Sequence, residues 1–390
     1  MRSPRRCHFP GIAALVQEAA VFASKPGGDR REVKMKAVVL KERGVLRVED
    51  VPMPRPGPGE VLVRVRACGI CGSDLRYFEG ENPWAQHTLG EQRPNPPNII
   101  LGHEIAGEIV EVAEDRHRGR LGQRVTLISW KGCGECYYCR AGLENLCAAT
   151  KHLGHGAGWG EQEFFPGGMA ELCRIWEPMA RPLPHNLSFE EGALMDVAGV
   201  AAHAVSRARF SPNEPVAVIG CGAIGLVILQ VARLRGAGTV FCVDVADRPL
   251  EVAASLGGHP VDGRRRDAVE EVLDHTSREG AAAVWNTVGA EQTILQGMRM
   301  LRRGGTQVLL AFPMSPVNLP PALLAGERIL TVSANNAYFE FDEALRLAEA
   351  GDIELLPLIT HTFALEAAPE AFAAAMRKSE TGAIKVILRP

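Results

Sequence analysis

The chain has 390 residues and no run of about 18 or more apolar residues, so a membrane-spanning helix is excluded. It has no basic surplus. Its 43 Lys and Arg stand against 46 Asp and Glu, a formal net charge of −3, and nothing in that balance points to nucleic acid. Neither a membrane nor a nucleic acid is therefore expected as a partner. The chain also has too few cysteines, 10 in all, for a disulfide scaffold of this length. No internal repeat is visible. Disorder is excluded as the main state, because a chain that is 46% hydrophobic can bury a sizeable core.

What is present is uneven. Gly accounts for 41 residues, well above the roughly 7% average. The cysteines are clustered. Cys133, Cys136, Cys139 and Cys147 form a C-x2-C-x2-C-x7-C run in the segment KGCGECYYCRAGLENLC. Such short spacers bring four thiolates within reach of one tetrahedral ion, as in structural zinc sites. A pair of disulfides is the alternative reading, but residues so close in a knuckle are poorly placed to bridge. Thiolate zinc also argues for a reducing compartment, and the cytoplasm is expected.

Residues 1–34 carry seven Lys and Arg against three Asp and Glu. Gln17 and Glu18 interrupt their moderately apolar stretch, which counts against a secretory signal. They read as a loose extension or as an upstream start assigned to the gene. From Met35 to about Ala198 the texture is short β-branched strands separated by Pro- and Gly-rich turns. From about 199 to 334, short apolar strands alternate with helices, the pattern of a doubly wound parallel sheet. The last segment, 335–390, holds two helical patterns and the strand-like stretches LITHTF and AIKVILR. It is expected to return to the first domain.

Gly220, Gly222 and Gly225 form a G-x-G-x-x-G with Cys221, Ala223 and Ile224. The motif follows a strand, PVAVIG, and opens a helix, as a dinucleotide site requires. Gly220 permits the tight turn. Gly222 lets the backbone approach the pyrophosphate, whose charge meets the N-terminus of the helix. Gly225 permits close helix–strand packing. Asp244 ends the next strand; a carboxylate there accepts from the adenosine ribose hydroxyls and repels a 2′-phosphate. NAD is therefore expected over NADP. Arg248 either lines the adenine end or favours a 2′-phosphate.

Two further segments, ACGICGSDLRYFEG (67–80) and ILGHEIAGEIVEV (100–112), join the cysteine knuckle and the dinucleotide half in a fixed order. Together they resemble the zinc-dependent medium-chain alcohol dehydrogenases, over about 35–390. The resemblance implies an α/β fold: a GroES-like antiparallel β catalytic domain (35–198 and 335–390) with a Rossmann coenzyme domain (199–334) inserted. It implies two zinc ions and NAD, and a homodimer or homotetramer built through the coenzyme-domain edge near 305–333. It assigns catalytic zinc to Cys71 and His103, and places Glu104 as a ligand or its neighbour. Asp196 matches a third acidic ligand, acting directly or through water. Ser73 matches the hydroxyl that carries the proton away from the substrate. Asp74 matches a carboxylate that orients the zinc-binding histidine. Tyr77 falls where polyol dehydrogenases carry a substrate-pocket tyrosine.

Some positions depart from the family pattern. Some relatives have a relay histidine three residues after the matched serine; this chain has Arg76. The stretch 81–98 lengthens the interval between Cys71 and His103, as in butanediol dehydrogenases. Asn335 and Asn336 stand where polyol members often carry arginine. Cys68 reads as a neighbour of Cys71 and not as a ligand, Cys173, Cys221 and Cys242 as buried small residues, His203 as a satisfied helix residue, and His152 and His155 as loop histidines more often solvated than functional. The expected activity is hydride transfer from a secondary alcohol, diol or polyol to NAD, giving the ketone. The alternatives are oxidation of an amino alcohol in the manner of L-threonine 3-dehydrogenase, and a non-catalytic protein that binds zinc and NAD.

Overall fold

The computed structural model describes residues 33–313 and 315–390. The extension expected over 1–34 therefore lies almost wholly outside the described residues. The first strand, Lys34–Glu42, pairs with Val45–Pro52 and with Ile99–Ile100 in a three-stranded antiparallel sheet.

A larger mixed sheet carries the candidate site. Its central strand, Glu60–Ile70, pairs antiparallel with Glu104–Val112, so that Gly69 lies opposite Glu104. Its other flank pairs with Lys385–Arg389, which in turn pairs parallel with Ile359–Ala364. The C-terminal segment thus closes the sheet begun by the N-terminal half. Alternating burial along these strands fills the core with Val61, Val63, Val65, Ile105 and Ile109.

The coenzyme half is a six-stranded parallel sheet. Across it the strands run His259–Asp262, Val240–Asp244, Val216–Ile219, Ala281–Asn286, Leu301–Leu309 and Ile329–Val332. That is the doubly wound order 3-2-1-4-5-6, with its switch point beside Val216–Ile219. His259–Asp262 was not evident in the sequence. It has four residues and contains Pro260, which cannot donate to a ladder, so it is tolerated only at the sheet edge.

The helix Met195–Ser206 runs between the halves and packs on Ala223–Leu234 and Tyr338–Ala350. Trp285, fully buried, donates its indole N–H to the Ala204 carbonyl at 2.8 Å and so ties the parallel sheet to this helix. His203 on the same helix bonds through Nδ1 to Glu340 at 2.8 Å, the satisfied role expected of it.

Candidate active site

The two segments that carry Cys71 and His103 are distant in sequence. Cys71 follows the end of strand Glu60–Ile70, and His103 precedes strand Glu104–Val112, so pairing of these strands brings both residues to one end of the ladder. Asp74 then locks them. It is fully buried, its Oδ2 accepts the Cys71 N–H at 2.8 Å, and its Oδ1 accepts the Gly102 N–H at 3.1 Å. The first of these bonds also caps the short helix Gly72–Phe78. Gly102 has φ +93, and a Cβ there would fall 2.6 Å from the Cys68 sulfur, so only glycine lets the chain turn at this point.

Ligand atoms of Cys71, His103 and Glu104 lie within 4.8 Å of one another. His103 Nδ1 is 3.7 Å from Asp74 Oδ1, beyond hydrogen-bond distance, and is buried without a partner. Ser73 Oγ is likewise buried and unpartnered. Burial acts to lower the His103 pKa, but the charges of Asp74 and Cys71 beside it raise it overall. Those same anions would favour a divalent cation. A thiolate, an imidazole and a carboxylate around unpaired donors fit zinc.

Glu104 is fully engaged from its other side. The Lys385 ammonium lies 2.6 and 2.7 Å from its two carboxylate oxygens and donates to the Ile70 carbonyl at 3.1 Å. Sequence reasoning missed Lys385. The available signal was a lone charge inside the apolar run AIKVILR, which a buried strand tolerates only with a partner. Asp196 is half-buried on the helix Met195–Ser206, and desolvation pushes its carboxyl up to about 6. It does not join that three-residue group, in which all ligand atoms lie within 4.8 Å of one another; Ser129 Oγ lies 3.5 Å from its Oδ1.

Tyr77 is fully buried. Its hydroxyl donates to Asn82 Oδ1 at 3.1 Å, so the phenol organises the 81–98 stretch while its ring faces inward. His155 stacks on that ring with centroids 5.0 Å apart and meets His103 edge-on at 4.7 Å. Both His155 ring nitrogens are shut off from solvent and unpartnered. His152 is buried and stacks on His155 at 5.1 Å. The solvated reading of these loop histidines is therefore corrected. Glycines at 154, 156 and 158, all with positive φ, fold the loop inward over the site.

The four knuckle cysteines also converge, with ligand atoms within 4.8 Å of one another. None is in a disulfide. The Cys136 N–H points to Cys133 Sγ at 3.3 Å, and the Cys139 N–H to Cys136 Sγ at 3.5 Å. Backbone donors at Glu135 and Cys136 lower the Cys133 thiol to about 6. Such donors suit thiolates around a metal rather than a dithiol pair. Cys68, Cys173, Cys221 and Cys242 are buried outside both groups.

At the dinucleotide loop, Gly220 has φ +92 and a Cβ on Gly225 would lie 2.0 Å from the Gly220 carbonyl oxygen. A Cβ on Gly222 would meet nothing within 4 Å, so no protein atom accounts for that glycine. The space in front of it, at the N-terminus of helix Ala223–Leu234, fits a pyrophosphate. Asp244 accepts the Cys221 N–H at 2.7 Å, which places its carboxylate at the lip of the loop. Arg248 is exposed and pairs with Glu251 at 3.2 Å.

Comparison with known proteins agrees with this geometry. The family model described as "Alcohol dehydrogenase GroES-like domain" matches residues 57–185, and "Zinc-binding dehydrogenase" matches 223–350. The chain is 29% identical to sorbitol dehydrogenase of Bacillus subtilis, over 91% of this chain and 97% of that one. It is 31% identical to the NAD-dependent alcohol dehydrogenase of Sulfurisphaera tokodaii, over 86% and 95%. Among solved structures, a putative zinc-binding dehydrogenase of Sinorhizobium meliloti bound to NADP superposes with TM-score 0.81 at 30% identity, over 92% of this chain and 100% of that one. With its site geometry, sheet order and these matches taken together, the chain belongs to the zinc-dependent medium-chain alcohol dehydrogenases.

Proposed function

We propose that Cys71 and His103 hold the catalytic zinc, with Glu104 or Asp196 completing the set directly or through water. Cys133, Cys136, Cys139 and Cys147 hold a second, structural zinc. The enzyme is an NAD-dependent, zinc-containing alcohol dehydrogenase that oxidises a secondary alcohol, diol or polyol to the ketone. The observation that carries the assignment of roles is the Cys71–His103–Glu104 group beside the unpartnered Ser73 hydroxyl. A protein that only bound coenzyme would need the parallel sheet and none of these.

Zinc held by these residues would supply Lewis acidity towards a hydroxyl, and NAD would supply the hydride acceptor. The chain's own residues do the rest. Ser73 Oγ, free of protein partners, would accept the proton of the substrate hydroxyl while releasing its own towards water, so it relays the proton and does not keep it. Asp74 fixes the Cys71 and Gly102 backbone, and with it the aim of both ligand side chains. Lys385 holds the Glu104 carboxylate on the sheet side of the site. The rings of Tyr77 and His155 close one wall and exclude water. Arg76 cannot extend the proton path as a base, because a guanidinium has no acceptor lone pair.

NADH formation over a panel of secondary alcohols, diols, polyols and threonine tests this reading. The first three groups are expected to react and threonine to be poor. Asp244 is expected to make NAD better than NADP by about 100-fold in kcat/KM; Asp244→Ala should cut that ratio by about tenfold. Cys139→Ala should remove one zinc per chain and lower the melting temperature while leaving NADH affinity intact.

Oligomerisation through the coenzyme-domain edge near 305–333 is supported by its outer strand Ile329–Val332, where Ile329 is 52% and Val332 47% exposed. Pairing with a second copy there would give a homodimer or a homotetramer. Among the described residues no helix is long and apolar enough to cross a membrane. The reduced cysteine knuckle supports a cytoplasmic location.

A further inference from the structure

Between the catalytic and coenzyme halves lies a cavity of about 790 Å³. Its coenzyme-side wall is apolar, with Val288, Ala311 and Phe312. Its catalytic-side wall is polar, with Arg76, Asn82, Gln86 and Arg93. Among the described lining residues Glu81 is the only carboxylate and pairs with Arg76, while Arg93 pairs with Glu91 beside the cavity at 2.8 Å. Such a wall offers hydrogen bonds that a small apolar alcohol would not use.

Arg76 is the better placed of the two cations. It lies three residues after Ser73 in helix Gly72–Phe78, and so on the same helix face. Its Nε donates to Glu81 at 2.6 Å, its Nη1 meets His87 Nε2 at 3.2 Å, and its Nη2 donates to Gln86 Oε1. His87 stays neutral and able to accept, since burial and the Arg76 charge lower its pKa to about 4. It is itself fixed against Phe312, with ring centroids 4.7 Å apart. Three of the five guanidinium N–H groups are thus committed, and one on each Nη is left. The fork is held rigid at little further entropic cost, and a planar fork suits an oxyanion.

We propose that the substrate is a short polyhydroxylated chain with one anionic end, a carboxylate or a phosphate, which Arg76 and Arg93 bind. Asn82 and Gln86 face its intermediate hydroxyls. The reacting hydroxyl sits at Ser73, and the anion lies several bonds away, one helical turn further along. This proposal rests on the dehydrogenase reading above and narrows its substrate.

The test uses the full-length, zinc-replete protein and three matched sets: six-carbon aldonates, hexitol phosphates and neutral hexitols. At least one anionic set should exceed the neutral hexitols by about 50-fold in kcat/KM, mainly through a lower KM, and lose that advantage in added salt. Which set does so tells carboxylate from phosphate. Arg76→Gln and Arg93→Gln should each reduce the anionic-to-neutral ratio about tenfold or more, with the NADH dissociation constant unchanged. Neutral hexitols reacting equally well would overturn the proposal and leave the dehydrogenase intact. Loss of NADH affinity in both variants would also overturn it, since the arginines would then serve the coenzyme. If no alcohol reacts at all, the dehydrogenase reading fails. Calorimetric titration of the NADH-loaded protein with the same three sets then decides the cavity separately. Selective binding of the anions, lost in Arg93→Gln, sustains the proposal, and its absence ends it. Arg93→Gln alters a half-exposed side chain, which keeps the test valid if Arg76→Gln fails to fold.

Discussion

Cys71→Ala is expected to lower alcohol oxidation by at least about 1000-fold and to reduce the zinc content from about two to about one per chain. The size follows from what the ion contributes. Polarising the substrate oxygen is worth several kcal/mol, and each ~1.4 kcal/mol is a factor of ten in rate. The loss should appear in kcat, because the interaction acts on charge that develops in the transition state. The fold should survive. Cys71 is only partly buried, and Asp74 bonds to its backbone N–H rather than its side chain, so the strand-to-helix turn remains capped. NADH affinity should be unchanged, since the dinucleotide loop belongs to the other sheet. Metal analysis with single-turnover kinetics reads both quantities on one preparation. Full activity in a variant that retains two zincs would remove Cys71 from the site.

The second large effect concerns stability. Lys385→Met is expected to destabilise the protein by about 3–5 kcal/mol, measured by denaturant unfolding with metal content held constant. Lys385 and Glu104 are 5% and 0% exposed, and the ammonium contacts both carboxylate oxygens. Removing the cation leaves a buried anion with no partner in the sheet. The double variant Lys385→Met with Glu104→Gln should recover a large part of the loss, because the uncompensated charge is then gone. The pair also bridges the two ends of the chain. Glu104 opens a strand in the N-terminal half and Lys385 opens the last strand. A destabilisation below about 1 kcal/mol would mean that the pair is solvated, in the manner of a surface ion pair.

What could be read in advance, and what could not, follows from the range of each interaction. The G-x-G-x-x-G loop and the cysteine knuckle were legible because their chemistry is local. A turn, a helix start and short cysteine spacers lie within a few residues of one another. The parallel sheet was legible because strand and helix periods alternate over 199–334. Cys71 and His103 were legible only through family resemblance. Their convergence depends on a strand pairing and on the Asp74 bonds to Cys71 and Gly102, which no local pattern announces. Lys385 was missed for the same reason at greater range, since its partner lies 281 residues away. His155 was misread as solvated because the positive-φ glycines around it set the loop path, and sequence alone does not give the direction of that path. Asp196 lies in the helix Met195–Ser206, and whether its carboxylate joins the Cys71, His103 and Glu104 group is a property of helix placement.

The most direct test is continuous NADH absorbance for the purified enzyme with NAD and the diol and polyol panel, before and after dialysis against a zinc chelator, and again after zinc is restored. The account predicts steady NADH formation, its loss on chelation, and its return with zinc but not with magnesium, an ion that does not suit a site built on thiolate and imidazole. NADH formation that persists at full rate in metal-free protein would contradict it.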